Sequence, residues 1–275
     1  LWVIVTCTFF MMKNLPGTPF DAERFSIMTP QQQERVLEMY GLNDSLPMQY
    51  VKYIKNMLKG DLGTSFTYVN QDVSKVITGR LGPSALIDIQ AVLIGLAIGL
   101  ILGILAAWKH NSGIDYFTMI LAVLGVSVPN FVAAALLQYY IGLKWGVLPV
   151  GFWTGWNCSV LPSIALSFSA TAMVARFMRT EMLDVLDQDY IITARAKGLS
   201  QMKVLMRHAV RNSILPVVTI LGPIVVNLMT GSLAVENIFS IPGIGSLFVD
   251  CIKANDYPVI MGITIFYAAF YMLIV

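Results

Sequence analysis

SALIDIQAVLIGLAIGLILGILAAW, residues 84–108, decides the fold class. It carries one charge, Asp88, and as a helix it is long enough for a hydrocarbon core, which takes about 20 apolar residues. Similar runs lie at 1–12, 116–143, 160–178, 214–235 and 258–275. Of the 275 residues, 56% are hydrophobic and only 12% are charged, where a soluble domain carries about 25% charged residues. The pattern predicts an all-α membrane protein with six transmembrane helices. As a helix, Leu1–Met12 would be about 18 Å long, too short to span, and is read as the second half of a first helix. The chain is expected to continue beyond both ends. No small-x-small cleavage site follows this run, since 13–20 reads KNLPGTPF, which argues against a removed signal peptide.

The predicted organisation is a partial first helix (1–12), a small helical extracellular lobe (13–83) and a core of five transmembrane helices (84–275). Within the lobe, Thr29 is placed to cap a helix with Pro30 at its first position, running over Gln31–Met39 to Gly41. A second helix is expected over Met48–Leu58, stopping at Gly60.

Net charge is +2, too small to argue for nucleic acid. Two histidines and three well-separated cysteines, with no CxxC or HExxH, supply no local metal site. No GxxxxGK[ST] loop is present to hold nucleotide phosphates. His110 and His208 show no partner for catalysis. We therefore expect no enzyme activity in this chain, no metal and no bound cofactor.

Orientation follows from Lys and Arg in the short loops. Lys109, Arg176, Arg179, Arg195, Lys197, Lys203, Arg207 and Arg211 fall on one side; Lys144 and Lys253 fall on the other. This predicts that 180–213 and both termini are cytoplasmic, and that 13–83, 144–159 and 236–257 are outside. Cys158 and Cys251 then share the outer side, where a disulfide is permitted; separate thiols are expected, because a shared side does not bring two Cα atoms into bonding range.

Within 180–213, Asp187 and Asp189 precede YIITARAK and Gly198 follows it. Acids first, bases last and Gly beyond describe a short helix. Ser200 is placed to cap a second, basic helix bearing Lys203, Arg207, His208 and Arg211. Small Ala194, Ala196 and Gly198 would let another protein approach closely. On the residues alone two readings stay open: an interfacial loop drawn to anionic lipid, and a docking helix.

TARAKGLS at 193–200 and RHAVRNSILP at 207–216 resemble the cytoplasmic signature of binding-protein-dependent ABC permeases, in particular the oligopeptide, dipeptide and nickel branch. GDLGTS (60–65), SVPNF (127–131), RFMRTEMLDVL (176–186), ENIFSIPGIGSLF (236–248) and NDYPVIMG (255–262) extend the likeness along the chain. It implies a type I importer permease fold and the import of oligopeptides, with dipeptides or metal chelates as the alternatives. It implies a homologous second permease subunit, two ATPase subunits that hold ATP and Mg, and an extracellular binding lipoprotein. Ile191, Ile192, Thr193, Ala194, Arg195, Ala196, Lys197, Gly198, Leu199 and Ser200 would then form the ATPase-coupling segment. Where the general signature has Glu-Ala-Ala, this chain has Ile192, Thr193 and Ala194, so a Glu-mediated contact does not carry over.

Gly95, Gly99 and Gly103 recur at four-residue spacing, which allows close helix packing in lipid. Pro129 interrupts the third run. Asp88, Gln90, Asn130, Gln138 and Asn227 are polar groups in or near spans and should turn inward; a wet substrate pathway and interhelical hydrogen bonding both account for them. Glu236–Phe248 contains Pro242, Gly243 and Gly245 and cannot be a continuous helix; the resemblance implies an external gate around Glu236, Pro242, Gly243 and Gly245. A secondary transporter, the rival reading, would usually show an inverted repeat, and none is visible.

Overall fold

The computed structural model describes residues 1–14, 27–39, 41–68 and 71–274. The stretch 15–20, read above against a cleavage site, and Val275, the end of the sixth run, lie outside them.

The described residues form helices α1 (Trp2–Lys13), α2 (Pro30–Met39), α3 (Leu46–Met57), α4 (Val73–Trp108) and α5 (Gly113–Ser127). Helix α6 runs from Asn130–Leu137 through a wider π-type turn, Gln138–Lys144. Then come α7 (Val160–Leu186) and α8 (Asp189–Ala196). Helix α9 comprises Gln201–Val204, a π-type stretch Leu205–Val210, and Arg211–Thr219. The last three are α10 (Leu221–Ile238), α11 (Ile244–Lys253) and α12 (Tyr257–Ile274).

By length and composition α4, α7 with its preceding turn, α10 and α12 can each cross a membrane. The α5–α6 pair makes a fifth crossing when counted as one, and α1 is apolar but shorter. These apolar segments come in the expected order, but the third run is not one helix: α5 and α6 meet at 98°. The cause is local. Pro129 pushes the residue before it out of the helical region, and Val128 sits at φ −84°, ψ 117°. The fifth run also differs from the uninterrupted 214–235 expected, breaking at Ile220 between α9 and α10. Pro223 has no N–H for the carbonyl of Thr219, and its ring crowds that carbonyl. Helix α4 starts eleven positions before the expected Ser84 and passes through Pro83; at about 54 Å it exceeds the hydrocarbon core.

Contacts divide the chain into two compact units, 1–82 with 246–273, and 83–245 with 274–275. In the first, the Thr29 hydroxyl accepts from the Gln32 N–H (3.4 Å) and the Gln32 side chain accepts from the Thr29 N–H (2.9 Å). This reciprocal cap is a capping box, with Thr29 at the N-cap and Gln32 at N3. Gly41 and Gly60, at positive φ, follow α2 and α3. Phe9 of α1 packs on Tyr50 and Tyr53 of α3. A cavity of about 370 Å³ lies between Lys13, Tyr53, Asn56, Phe66 and Tyr257. The GDLGTS and NDYPVIMG blocks meet here: buried Asp256 accepts from the Ser65 hydroxyl and the Thr67 N–H. Burial pushes the Cys251 thiol up to about 12. Cys7, Cys158 and Cys251 are all free.

In the second unit α7 is the central post. Gly95, Gly99 and Gly103 of α4 lie directly on it: β-carbons there would stand 2.6–2.7 Å from Ala170, Val174 and Met178 side-chain carbons or the Ala175 carbonyl. Gly125 brings α5 close to the same helix, a β-carbon there coming 3.0 Å from the Phe168 carbonyl and 3.1 Å from Ala172 Cβ. Leu161, Leu166, Met178 and Leu228 are wholly buried around this post.

Candidate coupling site and gate

Helix α8 follows α7 after Asp187 and Gln188. Gln188 is extended (φ −79°, ψ 145°), Asp189 is in the first turn and Arg195 in the last. Both charges complement the helix dipole. Gly198 then adopts φ +75°, the left-handed stop that glycine takes without strain. The expected short helix is present.

Its two faces differ. Ile191 and Ala194 are buried against Val204, Val185, Leu186 and Leu199. Thr193, Arg195, Ala196, Lys197, Gly198 and Ser200 are exposed, and so is Ile192 at 58%. Ala194 therefore belongs to the inner face, where three-residue spacing from Ile191 turns it, and is not part of a surface another protein can approach. A β-carbon at Gly198 would meet nothing within 4 Å, so within this chain the glycine answers a backbone requirement and not a spatial one.

Ser200 precedes α9 in extended conformation but makes no side-chain cap bond. Lys203, Arg207 and Arg211, four residues apart, are exposed as a basic stripe. Two hydrogen bonds brace the loop: Asn212 Nδ2 donates to Tyr190 Oη (2.9 Å), and Ser213 Oγ donates to the Ala209 carbonyl (2.9 Å).

The residues expected to form an external gate converge on one buried carboxylate. Glu236, near the end of α10, is wholly buried and accepts from Ser84 Oγ at 2.7 Å. Ser84 Oγ in turn accepts the Ile244 N–H at 2.8 Å. Gly243 packs so closely that a β-carbon would collide with Glu236 Oε2 and Ser84 Oγ. One at Gly245 would stand 2.8 Å from Leu233 Cα. Pro242 is the middle of a tight turn in which the Gly243 N–H donates to the Ile241 carbonyl. As expected, Glu236–Phe248 is not one helix: α10 runs on to Ile238, three residues past the expected end of its span, and helix resumes only at Ile244.

Asp88 is one turn beyond Ser84 on α4. It is 7% exposed, its Oδ1 has no hydrogen-bond partner, and it lies within electrostatic reach of Glu236. Gln138 donates from Nε2 to the carbonyls of Val150 (2.6 Å) and Ile238 (2.8 Å). Both its amide hydrogens thus tie α6 and the 150 region to the end of α10. The Phe152 N–H adds a bond to the Phe239 carbonyl. Gln90 accepts from Ser163 Oγ at 2.9 Å, an interhelical bond. Asn130 is half-buried at the start of α6, close to Gly231, and Asn227 is exposed. The structure thus gathers Asp88 and Gln138 around the gate residues and leaves Asn130 and Asn227 apart from them.

Sequence reasoning missed Ser84. It also missed Asp115 and Arg179, which form a two-pronged ion pair of 2.6 and 2.8 Å. His110, read as lacking a partner, stands 3.0 Å from Asp115. The one available signal was local: Ser84 and Asp88 share a helix face at four-residue spacing. Among the described residues no group of three or more His, Cys, Asp or Glu could hold a metal ion.

Residues 99–275 match the family described as binding-protein-dependent transport system inner membrane component. The dipeptide transport system permease protein DppB of Lactococcus lactis subsp. cremoris is 45% identical over all of this chain and 90% of its own length. DppB of Bacillus subtilis is 42% identical over 97% of this chain and 86% of its own. The oligopeptide transport system permease protein OppB of Haemophilus influenzae is 38% identical over 96% and 87% respectively. The crystal structure of an amino acid ABC transporter with histidines superposes with a TM-score of 0.58 over 73% of this chain and 90% of that one, at 18% identity. That likeness shows a shared fold.

Proposed function

This chain belongs to the family of binding-protein-dependent transport system inner membrane components, and on that premise we propose that it is a permease subunit of an ATP-driven importer of short peptides. Curated relatives named for dipeptide and for oligopeptide transport both align along nearly its whole length, so peptide chemistry is what they share. In this reading the chain pairs with a homologous permease and two ATPase subunits, which carry ATP and Mg²⁺. An extracellular binding protein delivers the peptide and sets its length.

The observation that carries the coupling role is the two-faced α8. Ile191 and Ala194 fix the helix to its own chain, while Ile192 presents apolar surface outward beside Arg195 and Ala196. An exposed isoleucine on a short helix braced from behind suits a groove on another protein. The basic stripe of α9 suits an anionic lipid surface or acidic residues of the same partner. We place this loop and both termini in the cytoplasm, and the Glu236 cluster at the outer mouth. Closed, the cluster seals the pathway; ATP-driven movement of α7 and α8 would loosen it and admit peptide between this chain and its partner permease. Asp88 and Asn130 would meet the peptide's polar groups, since unpaired backbone donors and acceptors are costly in an apolar passage.

The test is reconstitution of the four-subunit complex in vesicles, with binding protein outside and ATP at the ATPase face, and uptake of labelled di-, tri- and pentapeptides. ATP-dependent uptake of at least one is expected; none, with an intact complex, would refute the reading. Cysteines introduced at Gln71 and Gln201 check orientation: a membrane-impermeant thiol reagent should label Gln71→Cys in sealed cells and leave Gln201→Cys untouched.

A further inference from the structure

We infer that the Asp115–Arg179 pair is a positioning clamp that makes α5 move with the lever formed by α7 and α8. The inference rests on the coupling reading above and adds residues that reading does not use. Arg179 donates from Nε to Asp115 Oδ1 at 2.6 Å and from Nη2 to Oδ2 at 2.8 Å. The Asn111 N–H donates to the same Oδ2 at 3.0 Å, and His110 Nδ1 lies 3.0 Å from it. Asp115 is 2% exposed. Two parallel bonds fix orientation as well as distance, which a single ammonium cannot do.

The position of the pair gives it a role beyond local stability. Arg179 lies two turns before the end of α7, and Asp187 and Gln188 alone separate that end from α8. Asp115 is in the first turn of α5, where a carboxylate also complements the helix dipole. Asn111, in the turn joining α4 to α5, takes the left-handed conformation at φ 56°. Gly103 of α4 stacks on the Arg179 backbone, a β-carbon there coming 3.2 Å from its nitrogen. The clamp therefore holds the α4–α5 turn to the stretch of α7 nearest α8. From it, α5 extends about 22 Å to the 98° bend at Val128–Pro129. Asn130, a candidate pathway residue, begins the next helix. A displacement of α8 that shifts the end of α7 is passed through two charged hydrogen bonds to one end of α5, and the bend lies at the other. Loss of the clamp leaves α5 packed on α7 along its length, Gly125 included, but unties its first turn from Arg179, so the end of α7 can shift without carrying that turn along.

The clamp is read by the ratio of ATP hydrolysed to peptide imported, in the assembled four-subunit complex with its binding protein. Asp115→Asn and Arg179→Gln should raise that ratio tenfold or more, with the ATPase subunits still bound and hydrolysis within about twofold of the unaltered complex. Asp115→Glu should recover much of the ratio. Arg179→Lys, which keeps the charge and loses the fork, should not. A merely structural role would lower assembly, hydrolysis and uptake together and leave the ratio unchanged, and that result overturns the clamp. So does an unaltered ratio in fully assembled complexes. Crosslinking from Ile192→Cys to the ATPase, run alongside, separates the two readings: its absence in an active complex removes the docking role of α8, while the ratio still decides the clamp.

Discussion

The loop after α7 and the loop after α10 both depend on glycine, for opposite reasons. At Gly198 the space around a β-carbon is empty and the backbone sits at φ +75°. At Gly243 no positive φ is recorded, and the space is already filled by Glu236 and Ser84. The first loop buries Ile191 and Ala194 and leaves its charged groups and Ile192 on the outside. The second turns its one carboxylate inward and satisfies it within the chain. The proposed docking surface and the proposed gate are thereby told apart by what their glycines avoid.

The largest expected effect falls on the Glu236–Ser84–Gly243 cluster. Gly243→Ala puts a methyl group into the Glu236–Ser84 contact, and overpacking of this kind costs about 1–3 kcal/mol. The purified complex should lose several degrees of thermal stability, and peptide uptake should fall about tenfold or more. Glu236→Ala removes the carboxylate the methyl would strike and frees Ser84 Oγ, the other atom in its way, to turn aside. Added to Gly243→Ala, it should therefore give a double variant more stable than the sum of the two losses predicts. Strict additivity would mean that Gly243 is not held by that carboxylate, and the contrast with Gly198 would lose one side.

Next is the uncovered face of α8. Exposed substitutions away from special contacts change stability by less than about 0.5 kcal/mol. Ile192→Asp should accordingly leave the permease folded, yet cut uptake at least tenfold by placing a charge in the proposed docking groove. Ile191→Asp, one position away, should instead lower stability, because its side chain is wholly buried and an unpaired charge there has no water. If both variants behaved alike, α8 would have no distinct inner and outer face.

Much of this contrast was legible in the sequence, and what was not has a physical reason. The short helix, its glycine stop and the interruption around Pro242 follow from local chemistry, which spacing records directly. The Gly95–Gly99–Gly103 stripe was legible for the same reason. Pro129 announced a break, but its 98° angle depends on what α5 and α6 pack against. Ser84 and Glu236 are 152 residues apart and Asp115 and Arg179 are 64 apart, and no local pattern links them. Ala194 is small enough to admit a neighbour, but its burial answers to helix geometry and not to size. The three-residue spacing from Ile191 already turned it inward.

The smallest effect tests the other glycine. An L-residue in the left-handed region is strained by about 1–2 kcal/mol, and asparagine visits that region more readily than alanine. Gly198→Ala should therefore loosen the end of α8 by about 1 kcal/mol, seen as faster hydrogen exchange at Arg195–Gly198 and a severalfold drop in uptake. Gly198→Asn, although bulkier, should exchange more slowly than Gly198→Ala and transport nearer the unaltered level. That ranking follows only if backbone conformation governs the position, since nothing in the chain lies within 4 Å of a β-carbon there. The reverse ranking, with uptake falling as the side chain grows and exchange unaffected, would mean that a partner's surface comes right up to Gly198. The glycine of the docking loop would then be set by space after all, as at Gly243, with the neighbouring atoms supplied by another subunit.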